Sequence, residues 1–350
     1  MEFLVEYGLF LAKTATLVIA VLLIVLIIAG IGHRGMRRSD RGHIEVRSLN
    51  GVLDDLQHAL KQAILNPSAL KHEEKIDKKK RKSEEKEQKQ AARRGGEDRR
   101  PRVYVLDFEG DIQASAVKSL RQEVTAVLSM AETMDEVVVR IESPGGAVHG
   151  YGLAASQLRR IVDKGVALTV AVDKVAASGG YMMACIAGRI IAAPFALLGS
   201  IGVVAQLPNF HRFLKNKDVD FDVYTAGEFK RTVTMFGENT DKGKEKFIEE
   251  LEDVHTLFKE FVHENRPALD LDKVATGEAW YGKRAMELQL CDEIKTSDEY
   301  IVDRCNDCDV FHVRYVEDKT RVERLFDRFS DAVAKVRGSE SLDPRRPYMF

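Results

Sequence analysis

The sequence predicts an α/β layer domain preceded by a membrane-spanning helix and a charged connector. Three observations lead there. From Arg102 onward, short β-branched runs alternate with stretches of helical length, the rhythm of strands layered with helices. Residues 14–32 form an uncharged run of 19 residues. Between the two, charge is dense: of the 30 residues 71–100, 13 are basic and 8 acidic. Across all 350 residues there are 53 Lys and Arg against 55 Asp and Glu, so the formal charge is −2. A charged share of 31% exceeds the usual quarter of a globular chain, so the near-zero total reflects segregation. Near-neutrality argues against a dedicated nucleic-acid binder. Four Cys in this length exclude a disulfide scaffold.

The first element is the apolar run. At 1.5 Å per residue, residues 14–32 match a bilayer core of roughly 30 Å. A cleaved signal peptide would need a positive start and a small-residue cleavage site. Here Glu2 and Glu6 lie at the start, and His33-Arg34-Gly35 follows the run. Residues 1–32 are therefore expected to be an uncleaved anchor. Lys13 precedes the run, whereas Arg34, Arg37, Arg38, Arg41 and Arg47 follow it. The positive-inside rule then puts the body on the cytoplasmic side, with the periplasmic side as the alternative.

The connector occupies residues 33–100. Residues 50–66 carry apolar side chains at 53, 56, 60, 63, 64 and 65, an amphipathic helix spacing. Residues 71–100 hold almost nothing apolar, so they read as a solvated helix or tether. The basic cluster at 78–82 suits anionic lipid headgroups, which makes membrane lipid an expected partner.

The body is expected over residues 101–300. Residues 103–108, 136–141 and 167–172 read as strands, and 113–132 and 150–163 as helices. The second of these helices should point Leu153, Leu158 and Ile161 inward. A second apolar stretch, 181–207, is interrupted only by Arg189 but is punctuated by Gly188, Pro194, Gly199 and Gly202. It reads as a buried helix and two buried strands, not a second span. A strand at 221–225 and a helix at 241–265 follow. Residues 301–350 are expected to be an extension, with a strand at 310–315 and a helix at 319–336. That helix aligns Val322, Leu325, Phe326, Phe329, Val333 and Val336 for core or oligomer packing.

Two loops carry candidate chemistry. Glu142-Ser143-Pro144-Gly145-Gly146 follows a strand and precedes a helix. Its glycine N–H groups can face a ligand oxygen, as an oxyanion hole requires. Ala176-Ala177-Ser178-Gly179-Gly180-Tyr181 follows another strand. Ser178 there is either a helix N-cap or an accessible nucleophile. A nucleophilic serine needs a base. His149 and Lys230, the latter in Thr225-Ala-Gly-Glu-Phe-Lys230, are the candidates. Cys305-Asn-Asp-Cys308 lacks the second pair a zinc site needs, Cys185 and Cys291 read as core residues, and no metal or cofactor is expected.

Four motifs in order decide among these readings: Ser143-Pro-Gly-Gly146, Ala177-Ser-Gly-Gly-Tyr181, Gly199-Ser-Ile-Gly202 and Ala226-Gly-Glu-Phe-Lys230. Together they resemble the signal peptide peptidase A family, in its branch with one anchor before a single catalytic domain. The resemblance covers about residues 101–300 by motif and the whole chain by layout. It implies a ClpP/crotonase-like fold and a membrane-anchored serine peptidase of the bacterial inner membrane. By the same resemblance Ser178 is the nucleophile and Lys230 the base. The N–H groups of Gly145 or Gly146, with that of Gly179, form the oxyanion hole. Peptides or unstructured segments, signal-peptide remnants among them, are the implied substrates. The family's members assemble into rings in which the lysine lies next to a neighbour's serine. A lysine base must be neutral when it takes the serine proton, which demands desolvation. Two departures stand out: Trp280-Tyr281-Gly282 looks inserted, and Gln289 stands where the family has glycine. The rival readings are a crotonase-like acyl-CoA enzyme and a non-catalytic membrane scaffold. Fluorophosphonate labelling of Ser178 separates both from a serine peptidase.

Overall fold

The computed structural model describes residues 7–11, 13–19, 42–93 and 99–318. Ile44–Tyr315 form one compact unit; the described residues up to His43 and from Val316 fall in a second. In the latter, residues 7–11 and 13–19 are helical, and His43 Nδ1 lies 3.5 Å from Asp318 Oδ1. Among the described residues no helix is long and apolar enough to cross a membrane. Most of the expected span, 14–32, lies outside the described residues, as does the expected helix at 319–336.

The main unit is built on a seven-stranded sheet. Its strands are β1 (Gly42–Ser48), β2 (Arg102–Glu109), β3 (Glu136–Glu142), β4 (Ala167–Val172), β6 (Arg189–Ala192), β9 (Glu293–Ile294) and β10 (Asp309–Glu317), in the spatial order β1-β10-β2-β3-β4-β6-β9. The neighbours from β10 to β9 are all parallel. A parallel sheet is covered on both faces, so its strands read as continuous apolar runs. Alternation along β2 makes the point. Tyr104, Leu106 and Phe108 enter one cluster and Val103 and Val105 the other.

On the first face lie α3 (Val117–Leu128), α4 (Val148–Asp163) and α5 (Gly179–Ala184), which bury Leu120, Leu158, Ile161 and Met183. On the second face lies α10 (Ser297–Asp307), with Tyr300, Ile301 and Cys305. Leu49 and Leu53 of α1 (Leu49–Ile64) pack beside it, while Leu60 and Ile64 are exposed. Asn50 ties α1 down: its Nδ2 donates to the carbonyls of Cys305 and Cys308, and its Oδ1 accepts from Val310 N. The charge-dense segment continues as one helix, α2 (Pro67–Arg93).

A smaller sheet orders β5 (Val175–Ala177), β7 (Leu197–Gly199) and β8 (Ala279–Tyr281). The remaining helices are α6 (His211–Lys215), α7 (Asp241–Asn265), α8 (Leu271–Val274) and α9 (Gly282–Glu287).

The expected strands and helices of the body are present, with four differences. The helix expected at 113–132 spans only Val117–Leu128, because Asp111 caps the preceding turn by accepting from Ala114 N and Ser115 N. Leu153 is exposed at 43%, since the buried stripe of α4 runs through Tyr151, Ala154, Ala155, Leu158 and Ile161. Residues 221–225 have the strand pattern but pair with no strand, and Phe221 and Val223 are exposed. The sheet is not complete at residue 300: β10 pairs with β2 from Asp309↔Arg102 to His312↔Val105.

Candidate active site

Ligands of parallel sheets gather at the carboxyl ends of the strands, and both candidate loops lie there. After β3, Ser143 bridges to Ala176 of β5. Ser143 N donates to Val175 O at 2.8 Å, and Ala177 N donates to Ser143 O at 3.0 Å. The Pro-Gly-Gly turn and the serine loop are thereby stitched together.

Ser178 follows β5 and opens α5. Its backbone has φ 52° and ψ −116°, a conformation costing a non-glycine residue about 1–3 kcal/mol. Ser178 N donates to Gly199 O at 2.8 Å, and Ser178 O accepts from Met182 N at 2.9 Å. Its side chain makes no capping hydrogen bond. The N-cap role that competes with a nucleophilic one is therefore not filled, and a half-buried hydroxyl stands at the end of a strained turn.

The glycines explain how the second loop comes so close. Gly145 has φ +91°, and a Cβ there would lie 2.7 Å from Ser178 Cβ and 2.8 Å from Gly179 N. Only glycine lets this turn close on Ser178. The N–H of Gly145 donates to Ser143 Oγ at 3.1 Å. Those of Gly146 and Gly179 have no hydrogen-bond partner among the described residues. For Gly179, the first residue of α5, this follows from helix geometry, which offers no carbonyl to the first turn's N–H groups. The unpaired N–H of Gly179 thus adjoins the serine, and that of Gly146 belongs to the turn whose Gly145 closes on it.

Among the described residues neither candidate base is hydrogen-bonded to Ser178. His149 is exposed, the second residue of α4, and makes no hydrogen bond or ion pair among the described residues. Lys230 is exposed in a turn closed by its N–H to Gly227 O at 3.2 Å. It lines an open hollow of about 720 Å³ with Phe221, Tyr224, Met235 and Phe236, and Ser178 does not line that hollow. No hydrogen bond joins Ser178 and Lys230 among the described residues of the chain taken singly.

Several contributors were not evident from sequence. Trp280 in β8 faces Leu198 across the small sheet, and its ring lies 2.9 Å from where a Cβ on Gly199 would be. The apparent insertion is therefore the floor beneath the loop that receives Ser178 N. Gln289 adopts φ +62°, so it fills the left-handed position a glycine would take, and Leu290 N closes the helix on Ala285 O at 2.8 Å. Cys185 and Cys291 are core residues, and Cys305 and Cys308 are buried free thiols.

Similarity to known proteins is extensive. The family model Peptidase family S49 N-terminal matches residues 2–158, and that of Peptidase family S49 matches residues 160–308. "Probable protease SohB" of Haemophilus influenzae is 49% identical over 352 aligned residues, covering 100% of this chain and 99% of that one. "Probable protease SohB" of Buchnera aphidicola subsp. Schlechtendalia chinensis is 45% identical over 308 residues, covering 87% and 100%. "Protease 4" of Haemophilus influenzae is 29% identical over 167 residues, covering 47% of this chain and 27% of its own.

Proposed function

This chain belongs to peptidase family S49, a family of serine peptidases, and from that premise we propose that Ser178 is the nucleophile and Lys230 the general base of a membrane-anchored endopeptidase. Its substrates are peptides or unstructured segments near the membrane, signal-peptide remnants among them. The observation carrying this reading is the uncapped Ser178 in a strained turn, closely approached by Gly145 and followed by the unpaired N–H of Gly179. The catalytic domain is assigned the ClpP/crotonase-like variant of its α/β architecture, and residues 1–32 the role of anchor.

In this mechanism Ser178 Oγ attacks the scissile carbonyl while neutral Lys230 Nζ takes its proton. The N–H groups of Gly146 and Gly179 receive the developing oxyanion. Gly145, whose N–H is engaged by Ser143, forms the turn that brings them there. The protonated lysine then gives its proton to the leaving amine. Water attacks the acyl-enzyme by the same route in reverse roles and restores Ser178. Lys230 is exposed on a surface rich in uncovered apolar side chains. A neighbouring copy in a ring would both bring it to a serine and desolvate it.

The test is hydrolysis of a fluorogenic peptide by the full chain in detergent, with fluorophosphonate labelling. Ser178→Ala should abolish both while the circular dichroism spectrum is unchanged. Persistent hydrolysis by that variant rejects the nucleophile.

A further inference from the structure

We infer that Tyr151 and Ser143 are positioning residues that act as one hydrogen-bonded relay to hold the Gly145–Gly146 turn against Ser178. This rests on the oxyanion-hole reading above and adds what fixes that hole. Both side chains are fully buried, at 0% exposure. Ser143 Oγ lies 2.6 Å from Tyr151 Oη. Tyr151 Oη donates to the backbone carbonyl of Asp111 at 2.8 Å, and Gly145 N donates to Ser143 Oγ at 3.1 Å.

The direction of this chain is fixed by chemistry. A carbonyl only accepts, so the single phenolic proton is committed to Asp111 O. Tyr151 Oη must then accept from Ser143, whose proton is thereby also committed. Ser143 Oγ keeps its lone pairs for the Gly145 N–H. The order is Gly145 N–H to Ser143, Ser143 O–H to Tyr151, and Tyr151 O–H to Asp111 O. Burial pushes the Tyr151 phenol up, so it keeps its proton. Chains of this kind strengthen each bond in them.

The same tyrosine also supports the other donor. A Cβ on Gly179 would lie 2.3 Å from Tyr151 Cγ, so the ring is the surface on which Gly179 rests. Gly110 seals the relay from the opposite side. A Cβ there would lie 2.3 Å from Ser143 Oγ and 2.4 Å from Tyr151 Oη, which leaves no room for a bridging water. One phenol thus sets the positions of two glycines, 145 and 179, on separate loops. Neither Tyr151 nor Ser143 touches a reacting atom.

Tyr151→Phe removes one oxygen and keeps the ring. Steady-state kinetics should show kcat reduced about 10- to 100-fold with KM changed little, below the hundred- to thousand-fold loss seen on removing an oxyanion donor itself. A peptide boronate, which forms a tetrahedral adduct on the serine, should lose affinity by a similar factor, which a merely structural role would not produce. Ser143→Ala should give the same split, and the double variant should be no worse than the poorer single one, as expected for groups acting as a unit. Where Tyr151→Phe fails to fold, Ser143→Ala decides alone. A kcat within twofold of wild type in a folded variant, or a loss matched by KM with boronate binding unchanged, overturns the relay. Ser178→Ala serves as the reference. If it remains active, the underlying reading fails; if it is dead while the relay variants are fully active, only the relay fails.

Discussion

Ser178 carries a positive φ that no glycine relieves, and its neighbours hold it there. Gly199 O receives its N–H, and Gly145 approaches so closely that a Cβ there would clash with that of Ser178. Strain held by its surroundings is a recurrent property of functional positions. Gly145 is the position where this can be tested without touching the serine. At φ +91°, with Ser178 Cβ 2.7 Å from an added methyl, Gly145→Ala must push the turn away. We expect peptide hydrolysis to fall at least ~100-fold, the scale of a lost oxyanion donor, with a thermal midpoint still showing a cooperatively folded chain. Wild-type turnover in that variant would mean the turn does not contribute to the site. At this scale the sequence was informative where chemistry demands unusual residues. Gly-Gly after a strand and a serine among small residues are visible as strings. Tyr151 was not visible, because its partner is a backbone carbonyl 40 positions away. Gln289 was misleading for a related reason. Its backbone takes glycine's conformation without glycine's identity.

Helix α3 and strand β10 meet at a buried carboxyl. Glu123 on α3 is 4% exposed and accepts from Tyr315 N of β10 at 2.8 Å, while its Oε2 has no hydrogen-bond partner among the described residues. Burial pushes its pKa up to about 7, nearby Asp107 adds to the rise, and the Tyr315 N–H, His312 and Arg314 oppose it. Asp107 on β2 behaves oppositely. Desolvation pushes it up, but hydrogen bonds from His312 and Arg140 outweigh this and hold it well below the usual carboxylate range. For Glu123 the folded state retains a proton that the unfolded chain releases near pH 4.3. Its contribution to stability is therefore full below that pH, declines as pH rises to about 7, and stays lost above it. Glu123→Gln supplies a neutral acceptor for Tyr315 N at every pH. The thermal midpoint of this variant should exceed wild type at pH 8 and converge with it near pH 5. A lower midpoint at pH 8 would contradict the assignment. Elements were legible from sequence in proportion to their length and the regularity of their burial. β2, β3 and β4 are buried on both faces and so read as unbroken apolar runs. β5, β7, β8 and β9 have only 2 or 3 residues each, too few for any period to register. Residues 221–225 show the converse, a strand-like string to which the fold offers no neighbouring strand.

On the whole molecule, apolar side chains are left uncovered along one segment. Val204 is 80% exposed, Phe213 61% and Tyr224 90%, and Lys230 lies in the same stretch of chain. Monomeric soluble proteins seldom leave a large contiguous apolar patch open, and such patches mark interaction surfaces. Ser178 and Lys230 are meanwhile unjoined within one chain. A dyad completed between copies would account for both observations, because a contact that brought Lys230 to a neighbour's serine would also cover the apolar segment. It makes a prediction that a dyad within one chain cannot. Ser178→Ala retains the lysine and Lys230→Ala retains the serine, so each alone should be inactive. Mixed by co-expression in one membrane, they should restore hydrolysis. In a head-to-tail ring with random 1:1 mixing, roughly a quarter of sites would pair an intact serine with an intact lysine, and activity should approach that fraction of wild type. Inactivity of the mixed assembly, with both chains shown to co-purify, would place the dyad within a single copy and leave the exposed apolar segment to another partner.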